Sequence, residues 1–297
     1  MGPRAEAGAG TPTHRGVRLE GNTKVYTAVG GTQTGRRESR VSEPEIALRG
    51  GTHGPVVRIG DTVRRVPAPA RDAIHALLRH LELVGFTGAP RCLGLDDQGR
   101  EILTFIDGEV AVRLDGQPLP DYVRSDSALT QLGRLTRELH DATVGFEAPP
   151  GTEWSYLEGA PHDGEVICHN DLGPWNTVFR SGAPVAFIDW DGAAPAPRMW
   201  DVAYAVYRFV PFVPDEICST ILGWNEPPER LRRTQIFCDA YAIERSDVFT
   251  TMERRIELMI ATGIAGNADG DPRFGDFWMT VMKRRLLRDL QFVRSYV

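Results

Sequence analysis

The pattern of apolar and polar positions divides the chain into a strand-rich first part and a helix-rich second part. "PVVRI" (55–59) and "TVRRV" (62–66) have the composition of β-strands, and Gly60-Asp61 between them suits a tight turn. A helix follows, because four apolar residues recur at helical spacing before Gly85: Ile74, Leu77, Leu78 and Leu81. "APRCLGLDDQGREILTFIDGEV" (89–110) predicts two more strands, joined by the turn "DDQGR".

After Gly108 the periodicity becomes mainly helical. "SDSALTQLGRLTRELHDATVGF" (125–146) predicts an amphipathic helix capped by Ser125 or Asp126. Three short strands are predicted next, "EVIC" (165–168), "TVF" (177–179) and "VAFI" (185–188). Helical segments then follow near 200–210, 228–243, 246–265 and 276–295.

This succession predicts an α+β protein with two lobes. We place a flexible extension at 1–45, a small β-rich lobe at 46–106 and a larger, mostly helical lobe at 107–297. "TFIDGE" (104–109) would connect the lobes, and clefts between lobes are common ligand sites.

Composition narrows the class of partner. The 297 residues carry a net charge of −6, which argues against a nucleic-acid binder. The longest apolar stretch, "VAYAVYRFVPFV" (202–213), contains Arg208 and is too short to span a bilayer. The N-terminus lacks the apolar segment of a secretory signal, and the four cysteines form no CxxC pair. We therefore expect a cytoplasmic protein with no membrane or nucleic-acid partner, as a monomer or homodimer.

The basic residues are almost all arginine. Lys24 and Lys283 are the only lysines, so arginine supplies 32 of the 34 basic residues. Any cationic role in the middle of the chain therefore falls to arginine.

Candidate chemistry is concentrated in "ICHNDLGPWNTVFRSGAPVAFIDWDGA" (167–193). The predicted hairpin over 177–188 brings Asp189 back beside Asn176, close to the loop that carries Asp171. Adjacent oxygen ligands without cysteine or a histidine pair suit Mg²⁺, which prefers phosphate oxygens as its remaining ligands. Asp171 is then left to accept a proton from an attacking hydroxyl.

These motifs resemble the aminoglycoside phosphotransferase family, which has a protein-kinase-like fold. "HNDLGPWN" is similar to its catalytic loop, "FIDWD" to its metal-binding turn and "RMWDVAYA" to its downstream Trp-Asp motif. Base, metal ligand and second metal ligand follow one another at intervals of five and thirteen residues, as in protein kinases. The resemblance covers about residues 50–210.

The resemblance implies a role for each matching residue. Asp171 would be the catalytic base, and Asn176 and Asp189 would bind Mg²⁺. His169 would hold the loop and Asp201 would brace it. The backbone of Leu103 to Ile106, including Phe105, would pair with adenine, and "GGTHG" (50–54), with Gly50 and Gly51, would cover the phosphates of ATP.

Two positions depart from the family pattern. The lysine expected on the small-lobe strand is replaced by Arg64 or Arg65. We favour Arg64, because Val63 and Val66 have the character of packing residues. The helix glutamate that orients the lysine has no direct counterpart, since His75 stands nearest to its position.

The resemblance implies ATP-dependent transfer of a phosphoryl group to a hydroxyl of a small-molecule acceptor, such as an antibiotic or other natural product, with ATP and Mg²⁺ as cofactors. A metabolic kinase acting on an amino alcohol or sugar derivative and a silent nucleotide-binding pseudokinase are the alternatives. Asp191 is open between a third carboxylate on the metal side and a solvated turn residue. C-terminal acidic residues would suit a cationic acceptor or form an ordinary solvated surface: Glu253, Glu257, Asp269, Asp271 and Asp276.

Overall fold

The first part of the chain forms a twisted antiparallel sheet covered by one helix. A computed structural model describes residues 44–48, 54–111, 118–154, 159–161 and 163–297. The sheet has the order β1-β2-β3-β5-β4. Its strands are β1 (Ile46–Leu48), β2 (Val56–Ile59), β3 (Thr62–Arg65), β4 (Cys92–Leu95) and β5 (Glu101–Thr104).

Helix α1 (Arg71–Leu83) connects β3 to β4. Its apolar stripe is buried as the periodicity predicts, with Leu77 and Leu81 fully buried. Gly85 follows the helix at φ +82°, a backbone conformation that side chains with a Cβ rarely adopt. The structure adds β1 to the strands expected from the sequence.

The second part is built mainly from helices around two small sheets. Strand β6 (Glu109–Val110) joins β8 (Thr177–Arg180) and β9 (Ala183–Phe187), while β7 (Val166–Cys168) pairs with β10 (Ala194–Ala196). The helices are α2 (Asp126–Thr143), α3 (Arg198–Phe209), α4 (Asp215–Thr220), α5 (Arg230–Tyr241), α6 (Val248–Ala268) and α7 (Lys283–Val293).

Most predicted elements of this part are present, with changes at their ends. Ser125 is the cap of α2, since its side chain accepts a hydrogen bond from the amide of Ala128 at 3.0 Å. The last helix of the sequence prediction begins with a π-helical turn, Trp278–Met282, that leads directly into α7. The short elements β6, β10 and α4 have too few residues to show a period in the sequence.

The β8–β9 hairpin positions the polar segment. Thr177 pairs with Phe187, and the amide of Ile188 donates to the carbonyl of Asn176 at 2.9 Å. The start of β8 and the end of β9 therefore lie side by side, which places Asp189 next to Asn176.

The predicted α+β class and two-lobed plan are confirmed. The four cysteines are buried and unpaired, as expected for core residues. Among the described residues, no helix combines the length and apolarity needed to cross a membrane.

Candidate active site

The loop after β7 is held by the carboxylate of Asp201. Oδ2 of Asp201 accepts from the amide of His169 at 2.6 Å, and Oδ1 accepts from the amide of Asn170 at 2.8 Å. Asn170 has φ +69°, in the left-handed region, so the chain turns sharply just before Asp171. Asp201 of the Trp-Asp motif on α3 thus fixes the backbone of the loop by two hydrogen bonds.

Two further side chains support this brace. His140 Nε2 lies 3.2 Å from Asp201 Oδ2, and Arg255 donates to the carbonyl of Asn170 at 2.8 Å. Burial alone would raise the pKa of Asp201, but the hydrogen bond from His140 and the charges of His140 and Arg255 lower it below its usual value. The loop is therefore anchored by a buried carboxylate that stays ionised.

The carboxylate of Asp171 is surrounded by hydrogen-bond donors. Oδ2 accepts from Nδ2 of Asn176 at 2.7 Å and from Nε1 of Trp175 at 3.2 Å, and Oδ1 accepts from the hydroxyl of Tyr204 at 3.0 Å. Burial, with a contribution from the charge of Asp171, raises the pKa of Tyr204 to about 12. Tyr204 therefore remains a donor at neutral pH and helps to fix the orientation of Asp171.

The donor set next to Asp171 fits a hard divalent ion. Asn176 directs its amide nitrogen to Asp171, and its Oδ1 atom is buried with no hydrogen-bond partner among the described residues. A buried carbonyl oxygen without a donor is a ready ligand for Mg²⁺. The neighbouring Asp189, at φ +66°, would provide the carboxylate.

The arginine that faces the cleft beside Asp189 is Arg65, so the expectation that Arg64 would face it was wrong. Nη1 of Arg65 lies 2.8 Å from Oδ1 of Asp189, whereas Arg64 faces Asp96, with 3.8 Å between Nε and Oδ2. Val66 lies beyond the end of β3 and is 45% exposed, so it is not a packing residue. Val63 does face the interior, and Arg65, two residues along the strand, shares its side.

Arg65 has a second acidic partner that the sequence prediction missed. Its Nε contacts Oε1 of Glu101, a residue that is only 1% exposed at the start of β5. Nε2 of His75, on α1, lies 2.8 Å from the other oxygen of Glu101. A strand glutamate, held by a helix histidine, thus lies where the family pattern calls for a helix glutamate.

A narrow cleft lies between the small sheet and the β8–β9 hairpin. Its lining includes Val56, Leu103, Phe105, Ile106, Val178 and Ile188. The amide of Phe105 donates to the carbonyl of Asp61 at 2.8 Å, so it is already engaged. Within the described ranges no acceptor is found for the amide of Ile106, which leaves that group for a ligand. Gly50 and Gly51 lie outside the described residues.

The remaining predicted residues adjoin the same site. Nε2 of His169 lies 3.1 Å from the carbonyl oxygen of Ile188, so this buried histidine links the loop to the hairpin. Asp191 bonds to Arg65, with 3.0 Å between Nη1 and Oδ2, which places it on the cleft side of its turn. Trp190 is buried and packs beneath the loop.

Comparison with known proteins decides the family. The profile described as "Phosphotransferase enzyme family" matches residues 152–233, which include the loop and both metal-ligand candidates. The trifolitoxin immunity protein of Rhizobium leguminosarum bv. trifolii is 36% identical over 205 residues, 68% of this chain and 75% of that protein. The chain belongs to the phosphotransferase enzyme family. The resemblance to the aminoglycoside phosphotransferases inferred from the motifs is thereby confirmed.

Solved structures of small-molecule kinases share the fold of this phosphotransferase. An ethanolamine kinase from Plasmodium vivax superposes with a TM-score of 0.56 at 17% identity, covering 86% of this chain and 83% of that one. A spectinomycin phosphotransferase in complex with ADP and spectinomycin gives 0.50 at 14% identity, covering 86% and 89%. At these identities the likeness establishes the protein-kinase-like fold.

Proposed function

We propose that this phosphotransferase transfers the γ-phosphoryl group of ATP to a hydroxyl of a small molecule, with Asp171 as the catalytic base. The observation that carries the proposal is the set of contacts around Asp171. Its carboxylate is held by Asn176 and Tyr204 next to the unpartnered Oδ1 of Asn176 and the carboxylate of Asp189. A base beside a pair of oxygen ligands is the arrangement that in-line phosphoryl transfer to a hydroxyl requires.

The other side chains of the cleft have roles that follow from their positions. Arg65 holds the phosphates of the nucleotide, and the Ile106 amide bonds the adenine. Asn176 and Asp189 would hold Mg²⁺, which supplies positive charge to offset the negative charge of the phosphates. Asp171 orients the acceptor hydroxyl and takes its proton.

The comparisons support an antibiotic or other toxic natural product as acceptor. A relative with 36% identity is an immunity protein for trifolitoxin, and phosphorylation is one way in which a protein inactivates a toxin. In the metabolic alternative, the same reaction would phosphorylate an amino alcohol or a sugar derivative. A pseudokinase is disfavoured, because Arg65 and Glu101 provide a pair of charges where the family's lysine and glutamate are missing.

The test is an ATP-consumption screen with wild-type protein and Asp171→Asn. The acceptors are aminoglycosides, macrolides, nucleoside and peptide antibiotics, choline-like amino alcohols and sugars. We expect acceptor-dependent release of ADP from wild type and none from Asp171→Asn. Binding of Mg-ATP without turnover of any acceptor would favour the pseudokinase, and turnover by Asp171→Asn would exclude Asp171 as the base.

A further inference from the structure

A second charged side chain, Arg208 of α3, packs against two of the side chains that hold the carboxylate of Asp171. Its guanidinium stacks on the ring of Trp175 at 4.6 Å and on that of Tyr204 at 5.3 Å, measured to the ring centroids. The same two side chains donate hydrogen bonds to Asp171. Arg208 and the proposed base therefore share two aromatic neighbours.

None of the described residues accepts a hydrogen bond from the guanidinium of Arg208. Within the part of the chain that the structure describes, its guanidinium makes no hydrogen bond or ion pair, and its Nε atom is buried without a partner. The ring of Tyr207 lies 4.8 Å from the guanidinium, so a third aromatic side chain shields it. An arginine is charged at every physiological pH, and buried donors without acceptors are costly.

The carboxylates around Arg208 do not neutralise it by direct contact. Asp171 and Asp289 both act on it electrostatically, but neither forms an ion pair with it. Asp289 accepts instead from the hydroxyl of Tyr207 at 2.7 Å. A guanidinium stacked on aromatic faces keeps its in-plane donors available, and that fork matches the two oxygens of a carboxylate or phosphate.

Three of the five acidic residues that would suit a cationic acceptor are, by contrast, already paired. Arg294 bonds Glu253 and Glu257 at 2.6 Å each. Asp271 bonds Arg273, also at 2.6 Å. Arg208, which packs against Trp175 and Tyr204, is by contrast a positive charge with no ion-pair partner among the described residues.

We infer that Arg208 binds an oxyanion of the phosphate acceptor, either a carboxylate or a phosphate group, while the hydroxyl of the same molecule meets Asp171. The acceptor is then an anionic hydroxyl compound rather than a polyamine sugar or an amino alcohol. This inference rests on the proposed function, because it assigns the substrate class of the same site.

The first test measures anion binding directly. Malonate and inorganic phosphate are titrated calorimetrically into wild type, Arg208→Gln and the control Arg254→Gln, with and without saturating Mg-ADP to fill the nucleotide cleft. Arg254 is a fair control, since this exposed arginine also stacks on a tryptophan, Trp200, at 5.9 Å. We expect saturable binding to wild type and Arg254→Gln, and about tenfold or greater weakening in Arg208→Gln.

Absence of saturable binding to wild type, or equal affinity in Arg208→Gln, would overturn the inference. Thermal unfolding checks that each variant folds. If Arg208→Gln is unfolded, Arg208→Lys replaces it, since it keeps the charge but loses the fork. Undiminished anion binding by Arg208→Lys would also overturn the inference.

The second test asks whether the site prefers an acceptor that carries an anionic group. ADP release is measured with matched acceptors that share a hydroxyl and differ in one group: N-acetylserine, its neutral amide and ethanolamine. We expect the carboxylate to be the preferred acceptor and the KM for ATP to be unchanged in Arg208→Gln. Preference for the amine, or a rise in the KM for ATP in this variant, would overturn the assignment to an anionic acceptor while leaving the kinase intact. Failure of wild type to bind Mg-ATP would refute the proposed function instead, and the anion titration without nucleotide would still decide the role of Arg208.

Discussion

Nη1 of Arg65 lies 2.8 Å from Oδ1 of Asp189, so an arginine of the small sheet and a carboxylate of the larger part meet across the cleft. The two residues are 124 positions apart in the sequence. Their contact fixes which of two adjacent arginines faces the site, and it brings a permanent positive charge next to the proposed metal ligands.

We expect Arg65→Gln to raise the KM for ATP about tenfold to a hundredfold, because a charged hydrogen bond contributes about 1.5–3 kcal/mol. Arg64→Gln is the matched control, since Arg64 faces Asp96 and its loss should change the KM less than about twofold. Steady-state kinetics at varied ATP concentration measure both values. The larger effect in Arg64→Gln would show that the phosphates lie on the other side of the strand.

Glu101 should act through Arg65 rather than on the nucleotide itself. We expect Glu101→Gln to weaken Mg-ATP binding about fivefold to tenfold, because Arg65 then loses the partner that aims it at the cleft. In the Arg65→Gln background the same substitution should add almost nothing. Equilibrium binding of Mg-ATP to the two single variants and the double variant measures this coupling, and additive effects would contradict it.

Asp171→Asn should lower kcat by about a hundredfold to ten-thousandfold, since an amide cannot accept the proton of the acceptor. The Kd for Mg-ATP should stay within about twofold of wild type. Single-turnover kinetics and a nucleotide titration separate the two quantities. Asp97→Asn, at an exposed turn position, is the control and should match wild type in both.

Asn176→Ala should raise the Mg²⁺ concentration needed for half-maximal activity, because Oδ1 of Asn176 is removed from the pair of oxygen ligands. We expect a shift of about tenfold. A magnesium titration at fixed ATP measures it. An unshifted midpoint would remove Asn176 from the ligand set.

Asp201→Asn should destabilise the fold by about 3 kcal/mol, since two backbone amides lose a charged acceptor in a buried site. The folded-state pKa of Asp201 is lowered, so its contribution is complete above the unfolded-state value of about 4 and is lost as the pH falls through the folded-state value. The difference in unfolding free energy between wild type and Asp201→Asn should therefore narrow below about pH 4. Urea unfolding across a pH series checks this, and a gap that stays constant would contradict it.

The order of elements and the location of the site followed from local patterns. The spacing of Asp171, Asn176 and Asp189 around a hairpin depends on only two strands and one turn, so it can be read along the chain. The choice between Arg64 and Arg65 could not, because it depends on which side of β3 meets the cleft. The prediction was wrong because it treated Val66 as a buried residue. Val66 lies just past the end of β3, where the alternation of the strand no longer applies, and it is exposed.

The residues that the sequence analysis missed around the candidate site are far from Asp171 in the sequence. Tyr204 and Arg208 lie one helical turn apart on α3, the helix that carries Asp201, and their spacing was a signal that they share a face. Glu101 follows a turn and begins β5, and the sequence around it contains no sign that it is buried. It is buried because β3 and α1 close over it with Arg65 and His75.

By itself the sequence determined the α+β plan and the family, and it located the residues that we propose for phosphoryl transfer, because these depend on periodicity and on motifs with fixed spacing. The tertiary structure decided the charges that surround them. It paired Arg65 with Glu101 and Asp189, and it left Arg208 among aromatic rings with no acceptor from the described residues. Ion pairs depend on the distance between side chains of separate elements, and only the packing of sheet against helix sets that distance.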